Sequence, residues 1–437
     1  MKVLKFGGTS VGSAQRMFSV AKLIDDKEPK IIVLSAMAGT TNSLVEIINA
    51  LYKKEISLSN SLVDKLEAQY LEVLNQLYKK EKTIGRVREI LSSHFDIFRR
   101  IIFSPFTVKE EKIILAQGEL ISTALFHSYL EEKEISSFLL SALNFMRIDV
   151  NEEPELKAIE QGLKMELAKY PEGKIFITQG YICRNSFGEV DNLKRGGSDY
   201  SASLIGAAIQ AEEIQIWTDI DGMHNNDPRI VDNTKPIAEL SFDEAAELAY
   251  FGAKILHPSS VLPAKQGNIP VRLLNTMEPT AKGTLITAKI SGEDIKAVAA
   301  KDNIAAIKIK SGRMLLAYGF LGSVFEVFER YKTSIDMITT SEVAVSITID
   351  NVRNLSFIVK ELEKFGTVEV DHHQTIICVV GNFSVDKQGY AFKVLSALKN
   401  IPIRMISYGG SENNVSILVN TSMKNQALLA LHEGLFT

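Results

Sequence analysis

The chain has 437 residues, more than one ordinary hydrophobic core organises, so two or three domains are expected. It is 46% hydrophobic and 23% charged with a net charge of −4, a globular balance that gives no global reason to expect nucleic acid or an anionic membrane as partner. Two cysteines, Cys183 and Cys378, stand far apart in no metal-ligand spacing, which argues against a disulfide scaffold or a zinc site and suits a reducing compartment. The N-terminus lacks a long apolar stretch and no segment approaches the length of a membrane span, so a cytoplasmic location is expected.

Residues 3–6 (VLKF) and 30–37 (KIIVLSAM) are short apolar runs of the buried-strand kind. Residues 13–26 between them space apolar side chains at helical intervals, and this strand–helix–strand unit predicts a parallel sheet with a right-handed crossover. Residues 43–101 read as long helices whose many charges are solvated faces. Residues 174–182 and 213–220 read as further core strands, and the small-residue run 199–211 as a tightly packed helix. The texture changes after about residue 285, where a linker at 291–294 precedes a strand at 303–311. A weak repeat follows, with SIDMIT (334–339) and PIRMIS (402–407) 68 positions apart. Each follows an amphipathic helix (319–332 and 389–400) and precedes another strand (343–350 and 414–420). Two copies of one small α/β module are therefore expected, of a regulatory or dimer-forming kind.

Lys5-Phe6-Gly7-Gly8 ends the first strand. A glycine pair lets backbone N–H groups face a phosphate, and the lysine adds a point charge; the plainer alternative is a surface lysine beside a turn. The stretch is neither G-x-x-x-x-G-K-[ST] nor G-x-G-x-x-G. Ser35, Thr40, Thr41 and Asn42 are donors at a helix start, or ordinary caps. Glu119, after Gly118, either binds a substrate ammonium or complements a helix N-terminus. Arg195 precedes Gly196-Gly197-Ser198, which could form an anion nest, and Asp199, which could position a cation or cap the helix. Thr218-Asp219 ends a strand, and Asp227-Pro228-Arg229 makes a fixed corner suited to a base and ribose, or a surface turn. Lys254 follows a further glycine, and His257 before Pro258 reads as packed or capping. No metalloprotease or Ser-His-Asp pattern occurs. Two glycine-pair loops, lysines, an arginine and a few carboxylates, with no nucleophile of the protein's own, are what phosphoryl transfer requires.

The stretches KFGGTS (5–10), SAM (35–37) with Thr41-Asn42, Gly118-Glu119, RGGSDYSA (195–202), Thr218-Asp219, Asp227-Pro228-Arg229 and FGAKILHP (251–258) together resemble the aspartokinases, in order and spacing, over essentially the whole chain. The C-terminal repeat resembles that family's tandem ACT domains, and Phe320-Leu321 with SIDMITTSEV (334–343) is most similar to the monofunctional, lysine-sensitive type. The resemblance implies an α/β amino-acid-kinase fold, a mostly parallel sheet sandwiched by helices, over residues 1–287. Two ACT-type α+β modules follow over 298–437, the first at about 312–373 and the second from 298–311 plus 374–437.

The implied reaction is phosphorylation of the L-aspartate side chain by ATP, with magnesium arriving on the nucleotide and no metal site of the protein's own. Lys5 would contact the transferring phosphoryl group and Asp199 would organise Lys5, these two being the implied catalytic residues. Gly7, Gly8 and Ser198 would line the phosphate path, and Thr41, Glu119, Arg195 and Ser198 would bind aspartate. Thr218, Asp219, His224, Arg229 and Lys254 would hold ATP, His224 standing where the family usually has tyrosine. Met314, Gly319, Leu321, Asp336, Ser341 and Glu342 match the family's lysine-effector site, although Leu316 and Ala317 stand where lysine-sensitive members often have His and Ser. Other departures are Tyr181 and Cys183 in a usual Gly-Phe-Ile-Gly, and Asp191-Asn192-Leu193-Lys194 in a usual Thr-Thr-Leu-Gly. A homodimer or higher homo-oligomer through the ACT strands is expected. The rivals are a glutamate kinase of the same fold and a non-catalytic amino-acid sensor.

Overall fold

The structure is a computed structural model that describes every residue except 27, 194–195, 253–255, 290–293, 313–317, 385–387 and 437. The chain forms two units, one of residues 1–223 with 255–289 and one of residues 224–254 with 290–437.

The first unit opens with β1 (Lys2–Phe6), α1 (Ala14–Ile24) and β2 (Lys30–Leu34). Val3 registers with Ile31 in a parallel pair, and every residue of β2 is buried, which is why the run shows no polar alternation. Ser13 caps α1 by accepting the Arg16 N–H. The helical stretch then resolves into α2 (Thr40–Tyr52), α3 (Ile56–Leu77), α4 (Glu81–Ile102) and α5 (Val108–Glu132). Apolar stripes such as Val63, Leu66, Tyr70 and Leu74 of α3 meet Val87, Leu91, Phe95 and Phe98 of α4 in one core. A Thr107–Glu110 capping box starts α5.

Next come β3 (Phe138–Leu140), α6 (Ala142–Phe145), α7 (Leu156–Ala168) and β4 (Ile175–Gln179). The expected strand over 174–182 stops at Gly180, where a Cβ would lie 2.4 Å from Ser198, and Tyr181 adopts φ 66°. A hairpin of β5 (Ile182–Arg184) and β6 (Val190–Asn192) leads to α8 (Gly197–Ile209) and β7 (Ile214–Thr218). The chain then enters the second unit for β8 (Glu239–Ser241) and α9 (Phe242–Phe251). It returns with α10 (Leu262–Gln266), β9 (Val271–Asn275) and β10 (Thr284–Thr287). In the first unit the strand order is β3-β4-β2-β1-β7-β9-β10, parallel except for the β9–β10 pair.

The second unit is built on β11 (Ile295–Lys310), followed by α11 (Phe320–Arg330), β12 (Ile338–Thr340), β13 (Ala344–Ile349) and α12 (Leu355–Leu362). It continues with β14 (Thr367–Gly381), α13 (Tyr390–Ala397), β15 (Met405–Tyr408), β16 (Asn414–Asn420) and α14 (Lys424–Phe436). Strand β11 starts well before residue 303, because its alanine-rich first half lacks a strong strand signature yet pairs with β14. The six strands run β12-β13-β11-β14-β16-β15, and the β11–β14 ladder shifts register between Lys301 and Ile304. One half of that ladder carries the β12–β13 hairpin over a core of Ile307, Val324 and Ile347; the other carries β15–β16 over Ile377, Val394 and Ile417.

Residues 224–254 are bonded into this unit. Asn226 donates to the Leu428 carbonyl, and Gly252, at φ 140°, lies so close to Ala300 that a Cβ would come within 2.4 Å of its oxygen. Helix α9 begins with a Ser241–Glu244 capping box and buries Phe242, Leu248 and Phe251.

Candidate active site and effector region

The parallel strands β4, β2, β1, β7 and β9 present their carboxyl ends along one edge, with β1 between β2 and β7, and the carboxyl ends of such strands are where α/β sheets bind ligands. Lys5, near the end of β1, is 11% exposed, and its Nζ lies 2.6 Å from Oδ1 of Asp199. Asp199 sits in the first turn of α8, which starts behind Gly196 at φ 72° with no side-chain cap. That N-terminus and the buried Ser198 beside it therefore offer an open positive dipole end.

Glycine is required on the β1 side. A Cβ on Gly7 would lie 3.4 Å from the Lys5 ammonium, and one on Gly8 would press to 2.9 Å against the Ala36 oxygen. This cradle of small residues, backbone donors and one ammonium fits a polyphosphate. Among the described residues, no group of three or more His, Cys, Asp or Glu is placed to hold a metal.

Glu119 lies in the interior of the 25-residue α5, not at a helix start, so the dipole explanation of its charge does not apply. It is 6% exposed and accepts the Ala36 N–H at 3.2 Å. Burial pushes its carboxyl up to about 7, with the Ala36 N–H pulling the other way. A buried carboxylate without an ion pair among the described residues is matched to an incoming cation. Gly118 supports the same contact, since a Cβ there would reach 2.8 Å from the Ala36 Cβ. Thr41 is exposed in the first turn of α2, behind Gly39 at φ 84°. Tyr181 donates its backbone N–H to the Ser201 hydroxyl at 2.8 Å, and burial, with the nearby Glu119 and Asp191 carboxylates, pushes its phenol up to about 12.

Thr218, at the end of β7, is half-buried and donates its hydroxyl to the exposed Asp219 carboxylate at 3.1 Å. His224 and Arg229 belong to the second unit. His224 Nδ1 is hydrogen-bonded to the Thr234 hydroxyl, and Arg229 is 84% exposed and folded bidentately onto Asp227 at 2.9 and 2.7 Å. Arg195 and Lys254 lie outside the described residues. His257 is a cap, its Nδ1 accepting the Ser259 N–H.

In the second unit Asp336 has a fully buried side chain. Its Oδ1 lies 2.8 Å from Lys301 Nζ and accepts the Tyr250 hydroxyl at 2.6 Å, while Oδ2 has no hydrogen-bond partner among the described residues. Lys301 also pairs with Asp350 at 2.9 Å and stands 4.0 Å from the centre of the Tyr250 ring. A cavity of about 300 Å³ lined by Asp336, Glu247, Tyr250, Ser407, Ser411 and Ser416 adjoins this network. Gly319, at φ 82°, caps α11, which carries Leu321 in its first turn. Ser341 and Glu342 form the turn between β12 and β13, where the Ser341 N–H bonds the Ala344 oxygen. Met314 lies outside the described residues.

The structure thus gathers Lys5, Gly7, Gly8, Ser198, Asp199 and Thr218 at one sheet edge, and closes Arg229 on its own neighbour. No helix among the described residues is long and apolar enough to cross a membrane.

Residues 1–275 match the amino acid kinase family, and residues 377–435 match an ACT domain. The lysine-sensitive aspartokinase 3 of Escherichia coli is 34% identical, over 99% of this chain and 99% of its own. The chloroplastic aspartokinase 3 of Arabidopsis thaliana is 35% identical, over 99% of this chain and 81% of its own. The crystal structure of E. coli aspartokinase III with aspartate and ADP, in its R-state, superposes at a TM-score of 0.86 with 32% identity and full coverage of both chains. The lysine- and aspartate-bound T-state of that enzyme gives 0.83. The chain belongs to the amino acid kinase family, and within it to the aspartokinases.

Proposed function

We propose that this protein is an aspartate kinase, transferring the γ-phosphoryl group of ATP to the side-chain carboxylate of L-aspartate to give 4-phospho-L-aspartate and ADP. This is the first step toward lysine, threonine and methionine. The observation that carries the reading is the Lys5–Asp199 pair at the strand-end crevice, beside the Gly7-Gly8 and Gly196-Gly197 loops. The nucleophile is the substrate's own carboxylate, already ionised at neutral pH, so the protein needs no strong base. Its work is placement and charge neutralisation.

Lys5, oriented by Asp199, holds charge on the transferring phosphoryl group. Gly7, whose own N–H bonds the Trp217 oxygen, lines the phosphate path without a side chain, and Gly8 and the α8 N-terminus with Ser198 supply backbone donors to the phosphates. Glu119 takes the α-ammonium, Arg195 the α-carboxylate, and Thr41 contributes from the first turn of α2. Thr218, Asp219, His224, Arg229 and Lys254 hold the nucleotide, Arg229 exchanging its Asp227 partner for it. Magnesium would arrive with the nucleotide and would supply charge neutralisation there.

Residues 298–437 form the tandem ACT region, a first module at about 312–373 and a second from 298–311 plus 374–437. Lysine is the effector, taken at Met314, Gly319, Leu321, Asp336, Ser341 and Glu342, and ACT strands pair chains into a homodimer or larger assembly. Purified protein with ATP, magnesium, aspartate and hydroxylamine is expected to yield the aspartyl hydroxamate. Product with glutamate but not aspartate would replace the substrate assignment, and product with neither would leave an amino-acid sensor.

A further inference from the structure

Two charged contacts run between α5 and the strand that leads to Arg195. Lys109 Nζ lies 2.8 Å from Glu189, and Lys112 Nζ lies 2.8 Å from Asp191 Oδ1. On the hairpin the acidic residues are two apart, so they face one side of the extended chain. On the helix the lysines are three apart and share a face with Glu119, which follows Lys112 by two turns. The outer contact is about half exposed at both ends, whereas Lys112 and Asp191 are only 20% and 16% exposed, so the inner contact is screened less by solvent.

The strand is also fixed from its own side. The Leu193 N–H bonds the Tyr181 oxygen, and Asn192 is 1% exposed opposite Ile182. Asp191 Oδ1 accepts the Asn192 N–H at 2.7 Å as well, which holds the carboxylate where Lys112 meets it. Arg195 follows Asn192 by three residues, a chain length of at most about 11 Å.

We propose that Lys112 and Asp191 are positioning residues for amino-acid recognition. Their ion pair sets the register of β6 along α5, and so fixes where the strand ends, three residues of sequence before Arg195, relative to Glu119 on the helix. The inference rests on the aspartate-kinase reading and adds the spacer to it. In the proposed function the ammonium and carboxylate of one α-carbon go to Glu119 and to the chain that follows this strand, so a shift of the strand along α5 weakens the amino acid more than the nucleotide.

The test is steady-state kinetics with both substrates varied, on Lys112→Met, Asp191→Asn, their double variant, and the exchanged pair Lys112→Asp with Asp191→Lys. Each single change is expected to raise KM for aspartate about tenfold while KM for ATP stays within about twofold. The double variant is expected to be no worse than either single one, because both remove the same contact. The exchanged pair is expected to recover most of the loss. Single variants that leave KM for aspartate unchanged, or that raise both KM values together, overturn the proposal. So do losses that add in the double variant. If a single variant fails to fold, Lys112→Gln and Asp191→Ser, which also remove the ion pair, carry the same comparison, with the aspartate and ATP KM values again required to separate. Absence of turnover by the unaltered protein would instead sink the aspartate-kinase reading.

Discussion

The proposed role of Glu119 in taking the substrate ammonium ties aspartate binding to pH and sets it against stability. Its carboxyl ionises at about 7 in the free protein, against an ordinary value of 4.5, because it is buried in α5. Binding an α-ammonium requires the ionised form. From pH 8 down to pH 6 the ionised fraction falls about tenfold, so kcat/KM for aspartate is expected to fall about tenfold over that interval. The stability sign is opposite to that of a salt-bridged carboxylate. A carboxyl raised on folding contributes fully below its unfolded value and loses that contribution as pH rises through about 7. The difference of roughly 2.5 pH units corresponds to about 3 kcal/mol at pH 8. Glu119→Gln removes this cost while keeping the shape. At pH 8 it is expected to raise the melting temperature of the ligand-free protein by several degrees and to abolish aspartate turnover. Kinetics on aspartate from pH 5.5 to 8.5, with thermal melts of both proteins, make the measurement. A flat kcat/KM profile, or a variant that melts lower at pH 8 than the unaltered protein, would refute the reasoning.

Lys5→Ala is expected to lower kcat by about 100- to 1,000-fold while circular dichroism stays native, as the proposed neutralisation of transferring charge by its ammonium requires. Gly180→Ala forces a Cβ to 2.4 Å from Ser198, so a loss of about 1–3 kcal/mol in stability, read by urea unfolding, should accompany a drop in kcat/KM as the α8 start is displaced. Asp336→Asn deprives Lys301 of one of its two carboxylates, and is expected to weaken inhibition by added lysine more than about tenfold in an ADP-release assay.

The fold class was readable because the buried strands carry no alternation. Val3, Leu4, Phe6 and Ile31 through Leu34 admit only a sheet covered on both faces. The glycine pair at 7–8 was readable as a close backbone approach, since a Cβ on Gly7 would stand 3.4 Å from the Lys5 ammonium and one on Gly8 2.9 Å from the Ala36 oxygen. What joins Lys5 to Asp199 was not local. They meet because α8 lays its start against the end of β1, across nearly two hundred residues of chain. Glu119 was ambiguous because its surroundings in α5 are small or apolar on every side, so no polar face announced a helix interior, and Gly118 imitated a break. Gly118 is instead where α5 presses against Ala36. Arg229 illustrates a converse limit: the Asp-Pro-Arg spacing that suits a nucleotide corner also lets the arginine close on Asp227. Nothing in composition marked residues 224–254 as members of the second unit, since burial of Phe242, Leu248 and Phe251 looks the same whichever sheet receives them.

The interleaving of the two units along the chain limits how the protein can be dissected. The backbone passes between them after residues 223, 254 and 289. A truncation near residue 289 would not release a self-sufficient kinase fragment, because α9 would lose β11 and β14, against which it packs, and Asn226 would lose its Leu428 acceptor. The fragment would expose Phe242, Leu248 and Phe251 in water and associate through them. A chimera that exchanges regulatory regions between relatives would need to carry residues 224–254 with the C-terminal portion, as a graft with three junctions rather than one. Conversely, a single protease cut within that segment would leave its ends held by the core of the second unit, and the nicked protein would migrate as one particle until denatured.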